Sequence, residues 1–205
     1  MSNSPNQIPF YQIVWRNDYE KLPDVFRARY ANRIFSDDVV TVSGMMSVSY
    51  SKIYAILAPL FRIMGSLVSC SATDIPVTVR FCSDKKSKKI HFNRSFSFNS
   101  QKPHTFNSYL LPVKDNIVVE FMKYNVGWRS RFIYDNNKVK MIHNGYVFKI
   151  GKYFIPLPLN WLIGKAYAEE EVVSDKEFKM LLKITHPLFG ELYQYHGQFK
   201  LVTSL

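Results

Sequence analysis

Cysteine is nearly absent from this sequence: Cys70 and Cys82 are its only two. Two thiols cannot staple a chain of 205 residues, so a disulfide framework is excluded. A reducing cytoplasm is the expectation, with both cysteines as small core fillers. Long apolar runs are lacking too. The most apolar segment, residues 52–68, is about as short as a bilayer-spanning helix can be, and Pro59, Arg62 and Gly65 interrupt it. The start of the chain has neither a basic stretch nor an apolar one, which argues against a secretory signal. Residues 1–8 read as a flexible N-terminus, and 9–205 as a single domain, the size at which one well-buried core forms more readily than two.

Catalytic signatures are missing as well. The sequence contains no G-x-S-x-G, no H-E-x-x-H, no P-loop and no G-x-G-x-x-G. His91, His104, His143, His186 and His196 have no metal-ligand spacing. No metal, no cofactor and no enzyme class is therefore expected.

Acidic residues are scarce in one place only. Residues 80–152 hold fifteen Lys or Arg against four Asp or Glu, a net +11 that equals the charge of the whole chain. The rest of the chain balances, so the field belongs to the middle third. Such a field attracts phospholipid headgroups, nucleic-acid phosphates or an acidic partner. Against these stands the plain reading of a solvated face that keeps the protein soluble.

What is abundant is alternation. With 47% apolar and 16% aromatic residues the chain can fold. The β-branched stretch 38–49 reads as a strand bent at Gly44. From Ile75 onward, short alternating runs predict strands near 76–82, 88–98, 103–111, 116–124, 126–134, 137–143, 146–155, 165–173, 177–186 and 189–201. Turn residues separate them, and Asn144-Gly145 is the strongest single hairpin signal. Pro156 and Pro158 forbid a central strand at 155–164, leaving a loop or a short helix from Leu159 that offers Trp161 and Leu162 to an apolar surface. A helix is expected from about Pro23, with Val25, Phe26 and Tyr30 on one face and Arg27, Arg29 and Arg33 elsewhere. Segment 52–68 reads as a helix across one mouth of the sheet, or as an interfacial helix helped by Lys52 and Arg62. The expected fold is α+β: a strongly curved, mostly antiparallel sheet of eight to ten strands, a cup or half-barrel, with both helices packed on it.

The segments LPDVFRARY (22–30), DIPVTVRF (74–81), HFNRSFSF (91–98), VVEFMKY (118–124), IPLPL (155–159), AEEE (168–171) and ITHPLFGELYQYHGQF (184–199) fall in an order that resembles the bacterial family catalogued as domain of unknown function 4166. The resemblance runs from about Tyr11 to Leu201, and the HPLFG…YQYHG stretch is its most specific part. It implies a domain found alone or behind saccharopine-dehydrogenase-like or epimerase-like reductases, with no established catalytic residues. Many relatives carry a histidine where Tyr30 stands here.

Strand parity supplies the one lead toward a site. Ile90, Phe92, Phe96 and Phe98 share a face, and Arg94 lies on it. An inward guanidinium needs acceptors. Glu120, on the parity of Val118 and Met122, and Glu170, on that of Ala166 and Ala168, are the candidate partners. Trp128 shares its inward parity with Phe132 and Tyr134, with Arg129 and Arg131 on the outer one. This points either to a buried ion pair that fixes register or to a polar spot orienting a ligand. The expected ligand-binding set is Arg94, Glu120, Glu170 and Trp128. The set for membrane or anion contact is Lys52, Arg62, Lys85, Lys86, Lys88, Lys89, Arg129 and Arg131.

These features suggest a non-enzymatic, cytoplasmic binding domain for a lipid-like small molecule, able to sit peripherally at an anionic inner-membrane surface. A partner module for a Rossmann-type reductase is the second reading. Weak nucleic-acid binding through 80–152 is the third. It is disfavoured because the aromatic and cationic residues of 128–134 take opposite faces. A hydrolase using Arg94, Glu120 and Glu170 comes last.

Overall fold

The computed structural model describes residues 8–63, 71–98 and 103–203. Of the N-terminal segment read as flexible only Ile8 is among them, and Cys70 and the side chain of Arg62 lie outside the described residues. The alternating runs become β1 (Val39–Tyr50), β2 (Ala72–Ser83), β3 (Ile90–Phe96), β4 (His104–Lys114), β5 (Ile117–Phe121), β6 (Val126–Asp135), β7 (Lys138–Ile150), β8 (Tyr153–Leu157), β9 (Lys165–Val172), β10 (Glu177–His186) and β11 (Gly190–Thr203).

The expected cup or half-barrel is in fact a closed barrel. Ten strands pair in a ring, β1 to β7 in sequence and then β9, β10, β11 and back to β1. Every pairing is antiparallel. Closure rests on β7, whose first half bridges β6 and β9 (Met141 opposite both Phe132 and Ala168). Joining those two edges removes the unpaired N–H and C=O groups that a half-barrel would expose.

The hairpin expected at Asn144-Gly145 is also corrected. β7 runs straight through these residues, and the register shifts between Trp128 and Ser130 of β6, so the pair forms a bulge. Gly145 takes φ +102° there, and the Arg129 Nε donates to the Asn144 carbonyl at 2.8 Å. Asn-Gly favours positive φ, and a bulge uses that freedom as well as a turn does. The actual turn comes at Gly151, and β8 leaves through it. Pro156 is accommodated because β8 pairs on one side only, with β7.

Both mouths are covered. At the end holding the β2–β3 and β4–β5 turns, α1 (Phe10–Trp15) and α2 (Asp24–Arg29) push Tyr11, Trp15, Phe26 and Tyr30 into the core. The rings of Tyr11 and Tyr30 meet at 4.4 Å. At the opposite end, α3 (Lys52–Ile63) buries Tyr54 and Phe61, and α4 (Asn160–Ile163) buries Ile163. No helix among the described residues is long and apolar enough to cross a membrane.

Candidate functional site

Inside the barrel the inward rows are mostly apolar, and among the described residues two places bring an arginine and a carboxylate together. The first is built by β3, β4 and β5. Arg94 lies between the rings of Phe92 and Phe106, its guanidinium carbon 3.8 Å from each centroid. Its Nη2 donates to Glu120 Oε1 at 2.5 Å and to Ser108 Oγ at 2.6 Å, and the Ser108 hydroxyl donates to the same carboxylate at 2.6 Å. Strand pairing sets these three side by side: Arg94 is opposite Phe106 and Leu110 is opposite Glu120. The Arg94 Nε is buried and has no hydrogen-bond partner.

The second polar place is deeper. Glu170 of β9 accepts from Arg29 Nη2 at 3.3 Å and from the Tyr30 hydroxyl at 2.6 Å. Arg29 lies over the Phe81 ring at 3.5 Å. The reading of Arg29 as facing away from the core is therefore corrected: it is buried, pulled inward by a carboxylate 141 residues away. Burial, reinforced by the adjoining Glu170 carboxylate, raises the Tyr30 phenol well above its ordinary range. Tyr195 stands between the two clusters, its phenol likewise raised by burial, with Arg94 opposing.

A cavity of about 80 Å³ lies beside the first cluster. Phe61, Phe96, Met46, Met122, Met180 and Tyr193 are among its walls, and Arg94 and Glu120 are its charged residues. A smaller one of about 30 Å³ lies against Arg29, Tyr30 and Glu170. Phe92, Glu120, Trp128, Met180, Leu182 and Tyr195 border both. From Trp128 a short relay leads to the mouth. Its Nε1 donates to His143 Nδ1 at 3.1 Å, so the other nitrogen, His143 Nε2, donates to Asn160 Oδ1 at 2.8 Å. Burial holds the His143 imidazole below its usual range, and that favours this neutral form.

Of the residues singled out from the sequence, Arg94, Glu120 and Trp128 meet around the larger cavity. Glu170 lies inward as parity required, but it serves Arg29 and Tyr30 rather than Arg94. Parity fixes a face and not a level along the barrel. Ser108 was missed, although it sits on the inward row between Phe106 and Leu110.

The cationic set does not form one surface. Lys52 is exposed at the start of α3, whereas Lys85, Lys86, Lys88 and Lys89 occupy the β2–β3 tip at the opposite end. There Lys85 pairs with Asp37 at 2.8 Å and Lys89 lies over Tyr109 at 4.7 Å. Arg129 is held by the bulge, and Arg131 is exposed on the outer wall. Cys82 is half-buried rather than a core filler. Among the described residues no cluster of His, Cys, Asp or Glu could hold a metal ion.

A family model described as a domain of unknown function (DUF4166) matches residues 22–199. The chain belongs to this family. No curated protein matches the DUF4166 chain in sequence. Among known structures it is similar to that of Rv2717c from M. tuberculosis, at 8% identity and TM-score 0.47, covering 80% of this chain and 91% of that one. A weaker likeness is to the dehydratase domain of the polyketide PpsC from Mycobacterium tuberculosis, at 5% identity and TM-score 0.21, covering 88% and 81%. Neither is close enough to carry an argument about the DUF4166 site.

Proposed function

We propose that the barrel is a non-enzymatic binding module for a small apolar or amphipathic molecule. The molecule's apolar part fills the methionine- and phenylalanine-lined cavity, and its polar end meets the Arg94–Ser108–Glu120 cluster. The observation that carries this reading is the unpartnered Arg94 Nε beside that cavity. A buried N–H without an acceptor costs about 1–3 kcal/mol, and an oxygen on a ligand would relieve it. The lining offers no nucleophile paired with a base, so binding fits it better than turnover.

Size narrows the ligand. A dry cavity of about 150 Å³ takes benzene, and the space here is about 80 Å³. The occupant is therefore a few heavy atoms, or one arm of a longer molecule admitted as Met46, Met122 and Met180 repack; methionine is the side chain best suited to that.

The test is thermal denaturation with straight-chain alkanoic acids from butanoic to dodecanoic, each against its alcohol. Stabilisation by the acids should peak at one chain length and exceed that by the alcohols. In Arg94→Met/Glu120→Met, which replaces both charges by apolar volume, the preference for acids should vanish while the fold persists. Equal melting temperatures with and without every probe, in both proteins, would overturn the reading.

A further inference from the structure

Exposed aromatic residues are not scattered over this barrel. Among the described residues the large exposed aromatics are Tyr124, Tyr153, Trp161 and Phe189; Tyr124, Trp161 and Phe189 stand on segments that join strands at the α3/α4 end, and Tyr153 begins β8 just after the β7–β8 turn. Ile56, Leu162 and Leu188 are exposed on the same segments. Exposed aromatic and aliphatic side chains gathered at one end of a protein commonly mark a contact surface.

The centre of this surface is rigidly built. His186 is buried at the end of β10. Its Nδ1 accepts from the Leu188 N–H at 3.1 Å, so its Nε2 donates to the Trp161 carbonyl at 2.9 Å. The ring also stacks on Phe189 at 4.7 Å. One imidazole thus fastens α4 to the β10–β11 turn, tying the backbone at Trp161 to that at Leu188 and stacking on Phe189. Asn160, bound by His143, anchors the start of α4. Gly164 anchors its end: its carbonyl accepts from the Tyr146 hydroxyl at 3.1 Å, and a Cβ there would meet the Thr185 carbonyl oxygen at 2.7 Å. Trp161 is nevertheless 73% exposed and Leu188 74%. A segment this firmly held displays these side chains rather than merely failing to bury them.

Charge selects the occupant. On the joining segments at this end, Lys52, Lys123, Lys152 and Lys165 are exposed. The carboxylates nearest this end among the described residues are Glu191 at the start of β11, with which Lys183 pairs at 3.2 Å, and Asp74 near the start of β2. Amphipathic aromatic side chains ringed by lysines match the boundary between headgroups and acyl chains of an anionic bilayer. We infer that this end of the barrel, centred on Trp161, Leu188 and Phe189, docks on an anionic lipid surface. The cavity lies toward the same end, beneath α3 and α4, since buried Phe61 and Ile163 are among its walls. The docked face would thus deliver or receive the apolar ligand; that purpose rests on the proposed binding function, whereas the docking geometry does not.

The experiment is cosedimentation of the full chain with vesicles of phosphatidylcholine, and of phosphatidylcholine mixed equally with phosphatidylglycerol. Acrylamide quenching is measured in parallel. Trp15 and Trp128 are buried, so quenching reports mainly Trp161. Binding to the anionic vesicles should shield Trp161 and weaken with salt. Trp161→Ser/Phe189→Ser, which removes two side chains more than half exposed and the Phe189 stack on His186, should lower partitioning about tenfold or more while circular dichroism shows the barrel folded. Lys152→Gln/Lys165→Gln should lower it on anionic vesicles only. Unchanged quenching with vesicles, or equal partitioning of wild type and the Trp161/Phe189 variant, would overturn the inference. So would a concentration-dependent dimer that this variant abolishes, because the patch would then be covered by a second copy. Vesicle binding without any alkanoate effect would sink the ligand reading alone.

Discussion

The two buried arginine–carboxylate clusters use the same chemistry at different depths of one barrel. Arg29 and Glu170 keep side-chain exposures of only 5% and 1%, and the Tyr30 hydroxyl also donates to the carboxylate, while Arg29 Nε and Nη1 have no hydrogen-bond partner. Arg94 and Glu120 keep 9% and 15%, and they border the larger cavity. The deep pair ties the N-terminal helices to β9, segments far apart in sequence, alongside aromatic contacts such as Tyr11–Phe132 and Phe26–Phe178. The shallow pair reaches from β3 to β5 across β4, which already pairs with both, and Ser108 of β4 completes the bridge. On the proposed function, the deep cluster serves mainly the fold and the shallow one, beside the larger of the two inner cavities, serves the ligand.

The largest test of that contrast is Glu170→Gln. It leaves a guanidinium with almost no access to water opposite a neutral amide, and breaking such a pair costs about 3–5 kcal/mol. Urea denaturation should show the loss as a lower midpoint at unchanged slope. Glu120→Gln should cost less, about 1–3 kcal/mol, because Arg94 keeps Ser108 and its two rings. Equal losses in the two variants would erase the distinction, and both clusters would then be structural.

A smaller effect belongs to His143. Its pKa is depressed in the folded state, so the unfolded chain binds the extra proton first. Its contribution to stability is present above the unfolded value of about 6.5 and is lost as pH falls through the folded one. Melting temperature should decline over that range, with a change in Trp128 fluorescence as the indole loses its acceptor. In His143→Gln both responses should disappear. A decline that survives in His143→Gln would assign the slope to other groups.

Much of the barrel was legible in the alternating runs, because each strand needs one dry face and turn residues mark its ends. Closure was not legible. It depends on β7 pairing with both β6 and β9, and no local pattern encodes a partner so distant. Asn144-Gly145 misled because positive φ is common to turns and bulges. The site was legible as a face: Arg94, Glu120 and Glu170 all point inward, as their parity demanded. Which carboxylate meets which arginine was not legible, since that follows from height in the barrel. Arg29 was misplaced for a related reason. On a helix of six residues the boundary between faces is a single side chain wide, and a carboxylate across the fold decided it.

The most direct test of the central claim is native mass spectrometry, with organic extraction, of the protein purified from its own host. The account predicts a stoichiometric small apolar or amphipathic passenger in the wild type, lost or exchanged in Arg94→Met/Glu120→Met while the barrel stays folded. A bare chain mass, with nothing in the extract from either protein, would contradict it.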